Sequence, residues 1–182
     1  MALGPVGLPG ELLAVLAGAA VVFCVGLLDD VLHLHPLAKL AGQILAAVVV
    51  LQSSISVEVV SNEIAGWALG ILWLVGLTNA FNLLDNMDGL AASLALAASG
   101  CFALSASFVE PNRDIFVVAA SLSLVLAGFL PFNVRPSGPA RAFMGDSGSQ
   151  VLGLVLASLG LMASYKEAGT TIATLVLPIL IL

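Results

Sequence analysis

The stretch "IAGWALGILWLVGLTNAFNLLDNMDGLAAS", residues 64–93, begins apolar and ends polar. From Ile64 to Leu77 no side chain is charged; then Asn79, Asn82, Asp85, Asn86 and Asp88 follow one another closely. The run 64–82 has nearly the length of a bilayer-crossing helix, about 20 residues. A lone strand in lipid would leave its backbone groups unpaired, so helix is the state this run takes. Asn79, Asn82, Asp85 and Asp88 recur at every third residue. On a helix such positions line one slowly drifting face. The stretch reads as a spanning helix whose inner end becomes a polar cradle. Gly89 follows it, letting the chain turn or a ligand approach.

The remainder of the chain repeats the apolar theme. Of 182 residues, 60% are hydrophobic and 9% charged, where a soluble domain has roughly a quarter charged. The fold class expected is all-α: a polytopic transmembrane helical bundle of about six complete spans and a truncated seventh. The apolar runs are 12–28, 37–55, 64–82, 89–109, 115–134, 147–165 and 168–182, forming one integral membrane domain. Gly and Ala inside them suit close helix packing in lipid. The net charge of −6 argues against a nucleic-acid partner, which needs a basic surface. Cys24 and Cys101 lie in apolar runs and read as small hydrophobes; neither a disulfide framework nor a zinc spacing is present. The N-terminus lacks the basic region of a signal peptide, and the last apolar run is short, so a fragment of a longer membrane protein is expected.

Threading the runs back and forth sorts the charges. Asp29, Asp30, Asp85, Asp88 and Asp146 fall on one side. Glu11, Glu58, Glu63, Glu110, Glu167 and Asp114 fall on the other. Lys39, Arg135 and Arg141 join the aspartate side, against Arg113 and Lys166 opposite, so the aspartate side is expected to be cytoplasmic.

An ionised Asp near a bilayer costs a few kcal/mol on insertion scales and is seldom kept without use. Five carboxylates on one face repel one another, and a divalent cation relieves that. Oxygen donors without a Cys or His cage suit Mg²⁺, with Mn²⁺ as an alternative. Magnesium keeps few protein ligands and shares the rest with phosphate oxygens, which points to a phosphate-bearing substrate. In "FMGDSGSQ", residues 143–150, Asp146 or Ser147 can cap a helix, Gly145 and Gly148 admit close approach, and the helix N-terminus favours phosphate. Singly, each feature has an ordinary structural explanation: Asp146 as a cap, Asp29 and Asp30 as a solvated helix end, Asn79 as a helix-to-helix hydrogen bond, Lys39 as a snorkelling side chain. His33 and His35 read as members of a wet loop rather than metal ligands. The joint placement of the acidic motifs carries the functional reading.

These residues resemble the polyprenyl-phosphate N-acetylhexosamine-1-phosphate transferases, which initiate peptidoglycan lipid, teichoic acid, O-antigen and dolichol-linked glycan synthesis. "GLLDDVLHLHPLAKLAGQ" looks like the family's double-aspartate loop with its downstream lysine. "NAFNLLDNMDGLAA" looks like its N-x-x-N-x-x-D-x-x-D-G-L signature, and "FMGDSGSQVLG" like its G-D-x-G-S motif. "LLDNMDGLAA" is closer to the branch using UDP-N-acetylglucosamine; the muramoyl-pentapeptide branch, the alternative, more often has Gly where Asn86 stands. The resemblance implies transfer of a sugar-1-phosphate from a UDP-sugar to polyprenyl phosphate, releasing UMP, at the cytoplasmic face of the plasma membrane. It implies Asp146 and then Asn82 as Mg²⁺ ligands. Asp29 and Asp30 would lie at the lipid phosphate, removing its proton or organising the site. Asp85 and Asp88 would orient the nucleotide-sugar, and Lys39, Asn79, Asn82, Gly89, Gly145 and Ser147 would bind substrate. A homodimer is an open expectation. Family members have further helices upstream and a His-rich loop downstream, so this chain alone is expected to lack activity.

A transporter also keeps intramembrane acids, but its acids lie mid-helix, whereas these border helix ends. An intramembrane aspartyl protease would need Gly where Phe143 stands. A purely structural membrane subunit explains the hydropathy but not the sorted aspartates.

Overall fold

A computed structural model describes residues 10–53, 55, 62–109, 111–134 and 140–164. The run 168–182 lies outside the described residues, as do Glu58, Glu110, Arg135, Lys166 and Glu167. The described chain is all-helical: α1 Gly10–Leu32, α2 Pro36–Leu51, α3 Glu63–Leu84, α4 Leu90–Leu104, α5 Arg113–Asn133 and α6 Gly145–Ser164. A π-helical segment, Ser105–Val109, prolongs α4. Five helices, the extended α4 among them, are long and apolar enough to cross a membrane. The protein is a polytopic helical bundle.

Two helix ends differ from the apolar runs, each for a local reason. α1 continues past residue 28 to Leu32, so Asp29 and Asp30 stand in its last turn rather than in a loop. His33 then adopts a left-handed φ of 54° and its N–H closes on the Asp29 carbonyl at 2.9 Å. Asp29 Oδ1 accepts the Leu34 N–H at 2.7 Å, which anchors the exit. α2 ends at Leu51, short of residue 55, and at 16 residues it is shorter than the other spans. Ser53 Oγ donates to the Val50 carbonyl at 2.7 Å, drawing a last-turn acceptor into a turn. His35 does cap α2, its ring nitrogen accepting the Leu37 N–H, with Pro36 preset at the first helical position.

α6 lies at the centre. It packs mainly on α1 and α3, while α2 bridges those two and α4 pairs with α5. Of its spanning window 67% is buried, against 17–22% for the other four spans. A helix surrounded by protein rather than lipid tolerates polar groups that hydrogen-bond within it, and Ser149, Gln150 and Ser158 are fully buried there. Two glycines set the close approach. A Cβ at Gly26 of α1 would come within 2.5 Å of Ser147 Cα, and one at Gly153 of α6 within 2.6 Å of Thr78 Cα. The indole of Trp73 ties α3 to α6 lower down, donating to the Ala157 carbonyl at 3.0 Å.

Candidate active site

The ends of α1, α3 and α5 and the starts of α2, α4 and α6 share one end of the bundle, and the five aspartates are there. Asp29 and Asp30 end α1, Asp85 caps the C-terminus of α3, Asp88 follows it, and Asp146 lies in the first turn of α6. Glu11, Glu63 and Asp114 begin α1, α3 and α5 at the opposite end.

At the centre is Lys39 of α2. Its Nζ meets Asp29 Oδ2 at 2.9 Å, Asn82 Oδ1 at 2.8 Å and, closer still, Asp146 Oδ2. Asn82 Nδ2 donates to Asp146 Oδ1 at 2.9 Å and to Ser149 Oγ at 2.9 Å. Four helices thus meet in a single knot, α6 supplying Asp146 and Ser149 and each of the others one side chain. Asp30 lies beside it, accepting the backbone N–H of Asp146 at 2.9 Å and of Ser147 at 3.3 Å. Sequence considerations made Asp146 or Ser147 a cap for α6; instead Asp146 lies inside the first turn and its own N–H is taken by Asp30.

Asp85 feels several of these groups. Burial, then the charges of Asp146, Asp30 and Asp88, push its carboxyl up to about 6, and a hydrogen bond with the Gly145 backbone opposes them. Asp88 is exposed on the turn after α3. Gly89 has φ +78°, and its N–H donates to Asn133 Oδ1 at 2.6 Å. A Cβ there would strike Val134, so Gly89 turns the chain against the end of α5. Gly145 has φ +68° and lies against Asp30, while Gly148 makes room for Met144. Ser147 contributes its backbone N–H to Asp30.

Asn79 belongs one turn deeper. It exchanges hydrogen bonds with Gln43, Nδ2 to Oε1 at 2.7 Å and Nε2 to Oδ1 at 3.2 Å. Gln43 Nε2 also donates to Gln150 Oε1 at 3.1 Å. Gln43 and Gln150 are buried, and among the described residues Gln150 Nε2 has no partner. Gln43, Ser149, Gln150 and Asn133 join the site beyond the residues expected from the sequence. A signal existed: Gln43 and Gln150 stand four residues after Lys39 and Asp146, on the same helix faces.

The donor chemistry fits a hard divalent cation. Carboxylate and amide oxygens from Asp29, Asn82 and Asp146 already converge on one cationic centre, the Lys39 ammonium. Among the described residues no three His, Cys, Asp or Glu side chains form a ready metal cluster.

A family model described as glycosyl transferase family 4 matches residues 12–164. The chain belongs to that family. Across 93% of its length, the glycosyl transferase family 4 chain is 33% identical to a probable undecaprenyl-phosphate N-acetylglucosaminyl 1-phosphate transferase of Bacillus subtilis, covering 48% of that protein. It is 38% identical, over 86% of its length, to the decaprenyl-phosphate N-acetylglucosaminephosphotransferase of Mycobacterium tuberculosis, covering 41% of it. A phospho-N-acetylmuramoyl-pentapeptide-transferase of Lacticaseibacillus paracasei is 36% identical over 68% of the chain, with 41% of the relative covered. The chain therefore spans less than half the length of these relatives.

Proposed function

We propose that the full-length protein transfers a sugar-1-phosphate, N-acetylglucosamine-1-phosphate or that of a related N-acetylhexosamine, from a UDP-sugar to polyprenyl phosphate. An oxygen of the lipid phosphate attacks the β-phosphorus of the UDP-sugar. The bond from that phosphorus to the bridging oxygen breaks, UMP leaves, and a polyprenyl-diphospho-sugar remains in the membrane. One observation carries this reading: Asp29, Lys39, Asn82 and Asp146 meet from four helices at one end of an apolar bundle, in a chain of glycosyl transferase family 4.

Phosphoryl transfer is governed by positioning and charge neutralisation. Asp146 and Asn82 are the residues proposed to hold Mg²⁺, or Mn²⁺ in its place. Such an ion would supply charge neutralisation on the diphosphate and on the leaving UMP. Lys39 is held by two carboxylates and one amide, and its ammonium can turn from them to a phosphate oxygen. Asp29 fixes that ammonium from the α1 side. Asp85 and Asp88, at the rim, orient the nucleotide-sugar. A phosphate monoester is already mostly dianionic near neutrality, so a dedicated base matters little.

The site is assigned to the cytoplasmic face of the plasma membrane, where UDP-sugars are made and where Lys39 and Arg141 would lie. UMP release from UDP-N-acetylglucosamine by the full-length protein in lipid, with polyprenyl phosphate and Mg²⁺, tests the reading. Release only from the UDP-N-acetylmuramoyl-pentapeptide would move the protein to the other branch. Solute flux without any UMP would replace the enzyme with a transporter.

A further inference from the structure

α1 presents Gly18, Val22, Gly26 and Asp30 at intervals of four, which on a helix is one continuous face. The first three are buried. Gly18 lies against Leu154 of α6 and Val50 of α2, and Gly26 against the Ser147 backbone. Asp30 is therefore the last member of the face that packs on α6. Asp29 is one residue earlier, about 100° round the helix. That rotation brings it to Lys39.

The contacts of the two neighbours differ accordingly. Asp29 Oδ2 meets the ammonium at the centre of the site. Asp30 meets no side chain of the knot; its two oxygens accept the N–H groups of Asp146 and Ser147. Those N–H groups belong to the first turn of α6, which has no partners for them within its own helix. A carboxylate there satisfies two orphan donors and sits favourably on the helix dipole. The backbone makes room for it. Gly145 has φ +68°, and a Cβ on it would press to 3.0 Å from Asp30 Oδ2.

We infer that the adjacent aspartates divide the work: Asp29 belongs to the substrate side of the site, and Asp30 is a positioning residue that clasps the first turn of α6 and so aims Asp146. This rests on the transferase reading, because aiming Asp146 matters to catalysis only if Asp146 acts on the substrate. The clasp acts on the backbone, so any side chain that offers an acceptor oxygen at that reach retains part of it. An amide oxygen can replace one of the two acceptor contacts; a methyl group replaces none.

The test uses the full-length protein in lipid, with UMP release and amide hydrogen exchange measured on the same preparations. Asp30→Ala should lower kcat about 100-fold, the scale of a misplacement near 1 Å. Asp30→Asn should recover to within roughly tenfold of the wild type, since one acceptor remains. Both variants should keep the shape of the wild type's kcat–pH profile. Exchange at the Asp146 and Ser147 amides should quicken about tenfold or more in Asp30→Ala, and stay slow in Asp29→Asn. If Asp30→Asn is as inactive as Asp30→Ala and its kcat–pH profile differs in shape from the wild type's, Asp30 is a proton acceptor and the inference is overturned. Unchanged exchange at both amides in Asp30→Ala also overturns it. Should Asp30→Ala not fold, Asp30→Asn gives the decision through its rate, its pH profile and its exchange. If the wild type releases no UMP, the transferase reading fails, and hydrogen exchange alone still decides whether the clasp exists.

Discussion

Replacing Gly26 by Ala puts one methyl group where α1 crosses the start of α6. The added Cβ would stand 2.5 Å from Ser147 Cα, 2.6 Å from Ser147 N and 2.7 Å from the Asp146 carbonyl carbon. All three are backbone atoms, so no side chain can swing aside. Ordinary van der Waals contact begins at 3.4 Å, so the two helices must part by about 1 Å. Overpacking of this kind costs about 1–3 kcal/mol of stability. It also draws Asp29 away from Lys39 and Asp30 away from the α6 amides. A displacement near 1 Å at a reacting site costs about 100-fold in rate. The assay is UMP release by the full-length protein, read beside thermal unfolding in detergent. Gly26→Ala should lose about two orders of magnitude in kcat/KM and unfold at a lower temperature. The control is Gly76→Ala, where an added Cβ meets nothing within 4 Å; it should change neither readout for the worse. Wild-type turnover and unfolding temperature in Gly26→Ala would refute the reasoning, because the crossing would then have slack.

Further outcomes follow from the same geometry. The Asp85 carboxyl titrates near 6 in the folded chain against an ordinary 3.8, so between those values the folded state holds the extra proton. Stability should therefore fall as pH rises from about 4 to about 6, and Asp85→Asn should flatten that slope in a thermal-unfolding series without divalent cation. Gln43→Leu takes the donor from Asn79 Oδ1 and Gln150 Oε1, while Asn79 Nδ2 keeps the Val75 carbonyl, and should cost about 1 kcal/mol, measured by denaturant titration in micelles. Replacing all three amides by Leu should cost less than the single change, since no orphan remains. Asn133→Ala frees the Gly89 N–H and the Ala142 carbonyl, both of which Asn133 holds, and should lower the unfolding temperature by an amount equivalent to about 1–2 kcal/mol.

Much of this arrangement can be read before any coordinates are seen. Composition alone requires a helical bundle, and the alternation of runs puts Asp29, Asp30, Asp85, Asp88 and Asp146 at one end. The three-residue rhythm of Asn79 and Asn82 marks a face of α3, which is a local property of a helix. What stays hidden depends on which helices are neighbours. Nothing near Asp30 in the chain tells that its oxygens will meet amides 116 and 117 residues later. Gln43 and Gln150 look like stray polar residues in apolar runs until α2 and α6 are set side by side, and their partnership spans 107 residues. The early end of α2 is obscure for another reason. Ile55 and Leu51 have the same hydropathic character, and the turn between them is marked by local bonds of Ser53, its N–H and hydroxyl both on the Val50 carbonyl. Gly89 illustrates a role with two readings: its position after a polar cradle suits ligand approach or a turn, and the neighbouring Asn133 and Val134 show the turn.

The central claim is that side chains from four helices act together on a nucleotide-sugar diphosphate at this end of the bundle. Asp146→Asn in the full-length protein, assayed for UMP release across a Mg²⁺ titration with its unfolding temperature recorded, tests it most directly. The expected result is a folded variant whose release falls by at least about 100-fold and is not restored by added Mg²⁺. Near-normal release by that variant at any Mg²⁺ concentration would contradict the account.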